Sequence, residues 1–395
     1  MNFSVKNMAI APSPTLSIDA KYKQMLADGI DVVGFGAGEP DFNTPEYIRN
    51  AAIEAINDGQ TRYTPAAGTL KLRQAVANKF KNDNKLDYKP TQIVVSNGAK
   101  HSLTNAFSAI LNPGDEVIIP APYWVSYPEM VKMADGVPKF VYADEECEFK
   151  ITAQQLEEAI TDKTKAVILN SPSNPTGMVY TEEELRSLAE TAVKHDLIIV
   201  ADEIYEKLVY DGNEHTSIAS FSEEIFDHTI TINGVSKSYA MTGWRIGFAA
   251  ANDKIAKIMS NIQSHAASNP NSIAQAATIA ALEGPQDAVE AMRQVFAERR
   301  NHMVKRINEI DGVSCITPQG AFYVMMNIKE LFGKTYCGKI INSSDDFAEV
   351  LLENAKVALV PGSGFGAEGY VRWSYATSIE NIDKGLDRLE AFLKS

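Results

Sequence analysis

From about residue 46 this chain alternates helical patterns with short apolar runs, and that alternation limits the folds open to it. The runs at 92–95, 116–119, 166–169, 197–200 and 229–232 have buried-strand length and are rich in β-branched residues. Between and around them, 46–58, 69–82, 99–111, 127–134 and 182–195 carry helical patterns. Thr44 is the expected N-cap of the first, with Pro45 at its first position. Strands apolar on both faces, separated by helices, predict an α/β fold with a mainly parallel sheet sandwiched by helices. A long helix over 290–309 and strands near 321–326 and 370–373 predict a smaller α+β domain. The expected division is an N-terminal arm or lid at 1–45, a large domain at 46–289 and a small domain at 290–395.

The 395 residues are 45% hydrophobic and 22% charged, enough for a large core. No run approaches the roughly 18 apolar residues a membrane span needs. The start of the chain lacks the basic-then-apolar layout of a signal peptide. Cys147, Cys315 and Cys337 are odd in number and lack metal-type spacing, so free thiols, a cytoplasmic location and no metal are expected. A net charge of −14 argues against nucleic acid and anionic membranes as partners.

In open α/β sheets ligands bind beyond the carboxyl ends of strands, and several candidates fall there. Ser96-Asn97-Gly98-Ala99-Lys100 joins a strand to a helix whose first N–H groups suit a phosphate; a plain turn explains it equally well. The loop from Asn170 through Asn174 to Gly177 is turn chemistry throughout. Asp202 ends an apolar strand, where a carboxylate is costly unless paired, and Tyr205 follows three residues later. Lys237 lies between Ser236 and Ser238, just past another strand, with Arg245 eight residues on. A lysine amine can form a Schiff base with an aldehyde cofactor, and hydroxyls with a guanidinium suit that cofactor's phosphate. Arg372 sits in an apolar, aromatic run, where either a carboxylate ligand or a structural salt bridge would satisfy it.

Taken together these segments resemble the class I/II aminotransferases, fold-type I enzymes that use pyridoxal 5′-phosphate (PLP). The bacterial Ib-type aspartate aminotransferases are the subgroup most resembled. The resemblance covers essentially the whole chain: Gly36 to Phe42, Arg62 to Gly68, Pro122 to Pro128, Asn174 to Gly177, Asp202 to Tyr205, Ser236 to Arg245, and Arg372. It implies that Lys237 is the Schiff-base lysine and proton shuttle, and that Asp202 partners the pyridine nitrogen. Asn174 and Tyr205 would donate to the ring's phenolic oxygen, and Trp124 would stack on the ring. Gly98, Ala99, Lys100, Ser236 and Arg245 would surround the cofactor phosphate. Tyr63 would reach the phosphate of a neighbouring subunit, implying a homodimer with shared sites. Arg372, Asn174 and the Gly38 backbone would hold the substrate α-carboxylate.

Substrate choice is the finer question. The resemblance implies that Lys100 and Thr15 recognise a distal carboxylate, favouring aspartate and 2-oxoglutarate in ping-pong exchange. An aromatic, prephenate, alanine or kynurenine substrate is the alternative, because Tyr63, Trp124 and Tyr239 could line a roomier pocket. A PLP-dependent C–S lyase on the same fold is a further alternative.

Overall fold

The computed structural model describes Met1 and residues 3–394. Strand β1 (Val33–Gly34) comes first, followed by β2 (Ile93–Ser96), β3 (Glu116–Ala121), β4 (Val137–Tyr142), β5 (Thr164–Asn170), β6 (Ile198–Asp202), β7 (Thr229–Gly234) and β8 (Gly247–Ala250). Strands β2 to β8 form one seven-stranded sheet in the order β2-β8-β7-β6-β5-β3-β4. All neighbours in it run parallel except β8, which is antiparallel to both β7 and β2. Every residue of β7 is buried, as expected of a strand covered on both faces.

Helices cover the sheet from both sides. Val94, Leu103, Phe107, Ile119 and Ile230 form one core cluster, and Ile118, Leu156, Val167, Leu185 and Ile199 form another. Adjacent residues Ile118 and Ile119 enter different clusters because alternate strand side chains face opposite ways.

Later in the chain, β9 (Tyr323–Asn327), the hairpin β10 (Thr335–Tyr336) and β11 (Lys339–Ile340), β12 (Val357–Ala358), β13 (Val360–Pro361) and β14 (Tyr370–Ser374) follow the long helix Asp287–Asn308. Strands β13, β14 and β9 form an antiparallel sheet, and β1 pairs with β12. The N-terminal segment thereby packs on the C-terminal part. A large cluster around Phe296, Phe322, Phe347, Trp373 and Leu386 fills this region, and Tyr205 joins it.

One expectation needs correction, and several elements had no sequence signal. Thr44 does not cap the helix Glu46–Asn57; its hydroxyl donates to the Ala240 carbonyl at 2.6 Å and accepts from the Trp244 indole at 2.9 Å. Tertiary partners outcompeted the local cap, and Pro45 occupies the cap position. Strands β4 and β8 were not anticipated. The first is half exposed and broken by a proline and a lysine, and the second is four residues long, mostly small, directly after a turn. The helices Pro14–Ala27, Asp253–Ala266, Ser272–Glu283, Ser344–Ala355 and Ile379–Leu393 were also not anticipated.

Candidate active site

The register of the large sheet gathers the candidate residues along one edge. Asn170 at the end of β5 pairs with Asp202 at the end of β6. Gly234 at the end of β7 and Ser96 at the end of β2 both pair with Gly247, the first residue of β8. Because β8 runs backwards, Arg245 just before it arrives at the same edge as Lys237 just after β7. Gly247 faces the start of the helix Ala99–Ile110 so closely that a Cβ there would meet the Ala99 nitrogen. That contact sets the helix N-terminus beside Arg245.

These residues open onto a cavity of about 390 Å³, the size of a small-molecule site. Its wall includes Thr15, Gly38, Ala99, Lys100, Trp124, Asn174, Asp202, Tyr205, Ser236, Lys237, Arg245 and Arg372. Three predicted residues are absent from it, one of them Tyr239, which is buried in a core cluster with its hydroxyl donating to Gln286 Oε1 at 2.8 Å and so lines no roomier pocket. Gly98 lies behind the wall in a left-handed conformation (φ 88°), and a Cβ there would run into the Arg245 guanidinium. Tyr63 is 90% exposed and does not reach this chain's own cavity.

Asp202 is buried and has no cation at ion-pair distance among the described residues. Its Oδ2 accepts from the Tyr127 hydroxyl at 2.7 Å and its Oδ1 from the Ile204 amide at 3.3 Å. Burial raises its pKa to about 6, against the lowering effect of those two donors. Lys237 Nζ donates to the Gly38 carbonyl at 2.5 Å. Burial lowers its pKa to about 8; Glu39 opposes this, and Arg245 and Arg372 reinforce it. The amine is thus partly neutral near neutral pH, as a nucleophile and base requires.

Arg372 is buried and forms no ion pair among the described residues, so the salt-bridge alternative does not hold. Its Nη1 donates to Asn174 Oδ1 and its Nη2 to the Gly36 carbonyl, both at 2.9 Å. Its Nε is buried without a partner, and the guanidinium lies 4.3 Å from the Tyr323 ring centre. A desolvated guanidinium on the cavity wall, with no carboxylate partner among the described residues, suits a carboxylate ligand. Asn170 fixes the Asn174 loop: its Oδ1 accepts the Asn174 amide and its Nδ2 donates to the Asp202 carbonyl, both at 2.8 Å.

Arg245 adopts a left-handed backbone (φ 57°), and its Nη1 donates to the Thr242 carbonyl at 2.7 Å. It stands with Ser236 and the Ala99 amide on the cavity wall, an arrangement suited to a phosphate. Lys100 lies 4.8 Å over the Trp124 ring, and its pKa is lowered by partial desolvation and by Arg245. It remains exposed on the cavity rim. Thr15 sits on the helix Pro14–Ala27, its hydroxyl 2.9 Å from that of Ser13.

Sequence reasoning missed several wall residues. Tyr127 lies in the aromatic run 122–128 already noted, so a signal existed. Glu39, which accepts from the Thr242 hydroxyl at 2.7 Å, lies in the run 36–42. Tyr323, whose hydroxyl is 3.0 Å from that of Tyr205, had no local signal because 118 positions separate the two.

A second buried polar group lies behind the Asp202 turn. Glu203, Glu206 and His215 bring three ligand atoms within 4.8 Å of one another. The Lys79 ammonium already pairs with Glu206, and Asn84 donates to Glu206 at 2.7 Å. This is an internal ionic network that anchors the turn from behind.

Fold and cavity define an α/β enzyme whose site combines a desolvated lysine, a buried carboxylate and an anion pocket. The family of aminotransferases class I and II matches residues 30–389, and the chain belongs to that family. It is 54% identical to an aspartate aminotransferase of Bacillus sp. (strain YM-2) over 98% of this chain and 97% of that one. The aspartate aminotransferase of Bacillus subtilis (strain 168) is 52% identical over 100% and 99%. The crystal structure of the Rhizobium meliloti aspartate aminotransferase superposes with a TM-score of 0.96 at 43% identity, covering 100% of this chain and 99% of that one. The family depends on PLP and acts on amino acids and oxo acids. The orphaned Arg372 donor, the unpaired buried Asp202 and the Arg245 pocket beside a helix N-terminus fit that cofactor and a carboxylate substrate.

Proposed function

We propose that this chain transfers the amino group of L-aspartate to 2-oxoglutarate, giving oxaloacetate and L-glutamate, with PLP as cofactor. The observation that carries this reading is one cavity holding Lys237, Asp202, Arg245, Arg372 and Lys100 together. PLP, when bound, supplies an electron-withdrawing ring that stabilises negative charge at the substrate's α-carbon.

Asp202 would hold the pyridine nitrogen. Pairing with a protonated nitrogen favours the carboxylate form, against the burial that raises its pKa when it is alone. Tyr205 would keep its proton, since burial pushes its pKa well up, and so serve as a hydrogen-bond donor beside Asn174. Trp124 would stack on the ring. Ser236, Arg245 and the N–H groups at Ala99 would hold the phosphate, with Gly98 leaving room for the guanidinium.

The Nζ of Lys237 would attach the cofactor and, once released, take the substrate's α-proton. Its lowered pKa makes a neutral amine available for this. Arg372 would clamp the α-carboxylate, oriented by its bonds to Asn174 and the Gly36 carbonyl. Gly38 would add its backbone to that clamp. Lys100 and Thr15, both on the cavity wall, would meet the distal carboxylate.

We place the chain's working units at 1–45, 46–289 and 290–395. The first is a lid that carries Thr15 and packs on the third. Tyr63 is assigned to the site of a second copy, making the working form a homodimer. The cytoplasm is the assigned location; among the described residues no helix is long and apolar enough to cross a membrane.

The test is the amino-donor half-reaction. PLP-loaded protein is mixed with L-aspartate alone, with L-phenylalanine and L-alanine in parallel. Rapid conversion of bound PLP to pyridoxamine phosphate with aspartate, reversed by 2-oxoglutarate, is expected. Conversion only with another donor overturns the substrate assignment. Release of pyruvate without oxo-acid exchange indicates a lyase.

A further inference from the structure

The strongest unassigned contact in the cavity joins Tyr127 to Asp202. Tyr127 begins the helix Tyr127–Met133 and is buried, and its ring meets Trp124 edge to face at 5.4 Å and 86°. Its hydroxyl donates to Asp202 Oδ2 at 2.7 Å. Both partners line the cavity. One side chain therefore touches the group assigned to the ring nitrogen and the group assigned to the ring face.

We infer that Tyr127 is a positioning residue, fixing the Asp202 carboxylate toward the ring nitrogen while bracing Trp124 against the ring. This rests on the proposed role of Asp202. A carboxylate has two oxygens and a rotatable bond. The Ile204 amide takes Oδ1 at 3.3 Å, a long and weak contact, so the short Tyr127 bond carries most of the orientation. The remaining groups acting on Asp202 are Glu203 on its own strand end, Lys237 from the turn after β7 and Tyr205 on the turn that follows. Glu203 opposes its ionisation, Lys237 favours it, and Tyr205 stays neutral. Of the uncharged neighbours named, Tyr127 is the one side chain that donates to the carboxylate. Its own ionisation is suppressed by burial and by the adjacent Asp202 charge, so it stays a donor at every pH the protein tolerates.

The experiment uses Tyr127→Phe, Asp202→Asn and the double variant, each checked for native fold by circular dichroism. Two readouts are taken: the PLP dissociation constant of the apoprotein, and the Asp202 titration midpoint in apoprotein carrying ¹³C-labelled aspartate. Loss of a charged hydrogen bond should weaken PLP binding about tenfold in Tyr127→Phe. It should also move the Asp202 midpoint up by roughly one pH unit. Adding Tyr127→Phe to Asp202→Asn should weaken PLP binding little further. A Tyr127→Phe protein with wild-type midpoint and wild-type PLP affinity overturns the inference, provided Asp202→Asn weakens PLP binding. If Asp202→Asn itself leaves PLP affinity unchanged, the assignment of Asp202 to the ring nitrogen is what fails. A full tenfold loss persisting in the Asp202→Asn background also overturns the inference, because Tyr127 would then act independently of that carboxylate.

Discussion

At the scale of single residues, the site keeps two charges under strain, and stability should register it. Lys237 binds its proton less tightly in the fold, with a pKa of about 8, than the ordinary lysine value of 10.5. Between these values the unfolded chain holds more protons, so stability rises with pH; below about 8 the cost is constant and complete. Replacing Lys237 with Met should therefore stabilise the apoprotein at pH 7, by roughly 3 kcal/mol, and progressively less toward pH 10. Thermal unfolding of both proteins across that range is the check, and a pH-independent difference would contradict the assigned burial cost. Asp202 runs the other way. Its pKa of about 6 lies above the usual 3.8, so its cost is complete above pH 6 and relieved as pH falls toward 4. Lys100 differs from both because it is exposed, over the Trp124 ring. A fully desolvated ion pair would contribute several kcal/mol, but an exposed lysine warrants about 1–2 kcal/mol. Lys100→Ser should thus lower kcat/KM for aspartate roughly 5- to 30-fold while sparing L-alanine, and equal losses for both donors would remove its specificity role. Most of these residues were legible in the sequence because each follows a strand end with recognisable chemistry. Tyr323 and the Asp202–Tyr127 bond were not, since a hydroxyl contact 75 positions away leaves no local mark.

At the scale of elements, the informative contrast lies between the central sheet and the helix Pro14–Ala27. The sheet's apolar strands announced themselves by composition. The β8 reversal did not, because Gly247–Ala250 is short and made mostly of small residues, and its direction is fixed only by the turn carrying Arg245. The helix Pro14–Ala27 has weak amphipathic character and buries none of its residues fully. It is held by Ile18, Tyr22 and Met25 against a small cluster of Val32, Leu352 and Ala358. Tyr22 lies over Gly34, where a Cβ would come within 2.8 Å of its ring. So thin an attachment implies low local stability in an element that carries a cavity residue, Thr15. Amide hydrogens across 15–27 should exchange faster than those of β5 to β7, and a bound dicarboxylate such as maleate should slow them in PLP-loaded protein. Hydrogen–deuterium exchange with mass spectrometry measures this. Exchange across 15–27 unmoved by the dicarboxylate, at saturation, would mean that the helix does not close on substrate.

At the scale of the whole molecule, one chain displays more apolar surface on the helix Glu46–Asn57 and the loop after it than it can use alone. Ile48, Ala52 and Ala55 face inward, whereas Ile53 and Ile56 on the other side are more than half exposed. Tyr63 and Leu70 extend the exposed apolar stretch. Such a stripe beside a fully exposed tyrosine fits contact with a second copy. If Tyr63 completes the phosphate pocket of that copy, the two chains must share sites, and mixed dimers can show it. Lys237→Ala homodimers lack the lysine in both sites, and Tyr63→Phe homodimers lack the tyrosine hydroxyl in both. In a mixed dimer, the site built on the Tyr63→Phe chain has its own Lys237 and receives the intact Tyr63 of its partner, so it is wild type throughout. The other site lacks both groups. Co-folding the two variants should therefore restore up to half of wild-type activity per mixed dimer, at a PLP concentration that saturates wild type but not Tyr63→Phe. Were Tyr63 to serve its own chain's site, the mixed dimer would contain no complete site, and the mixture would show only the sum of its separate homodimers.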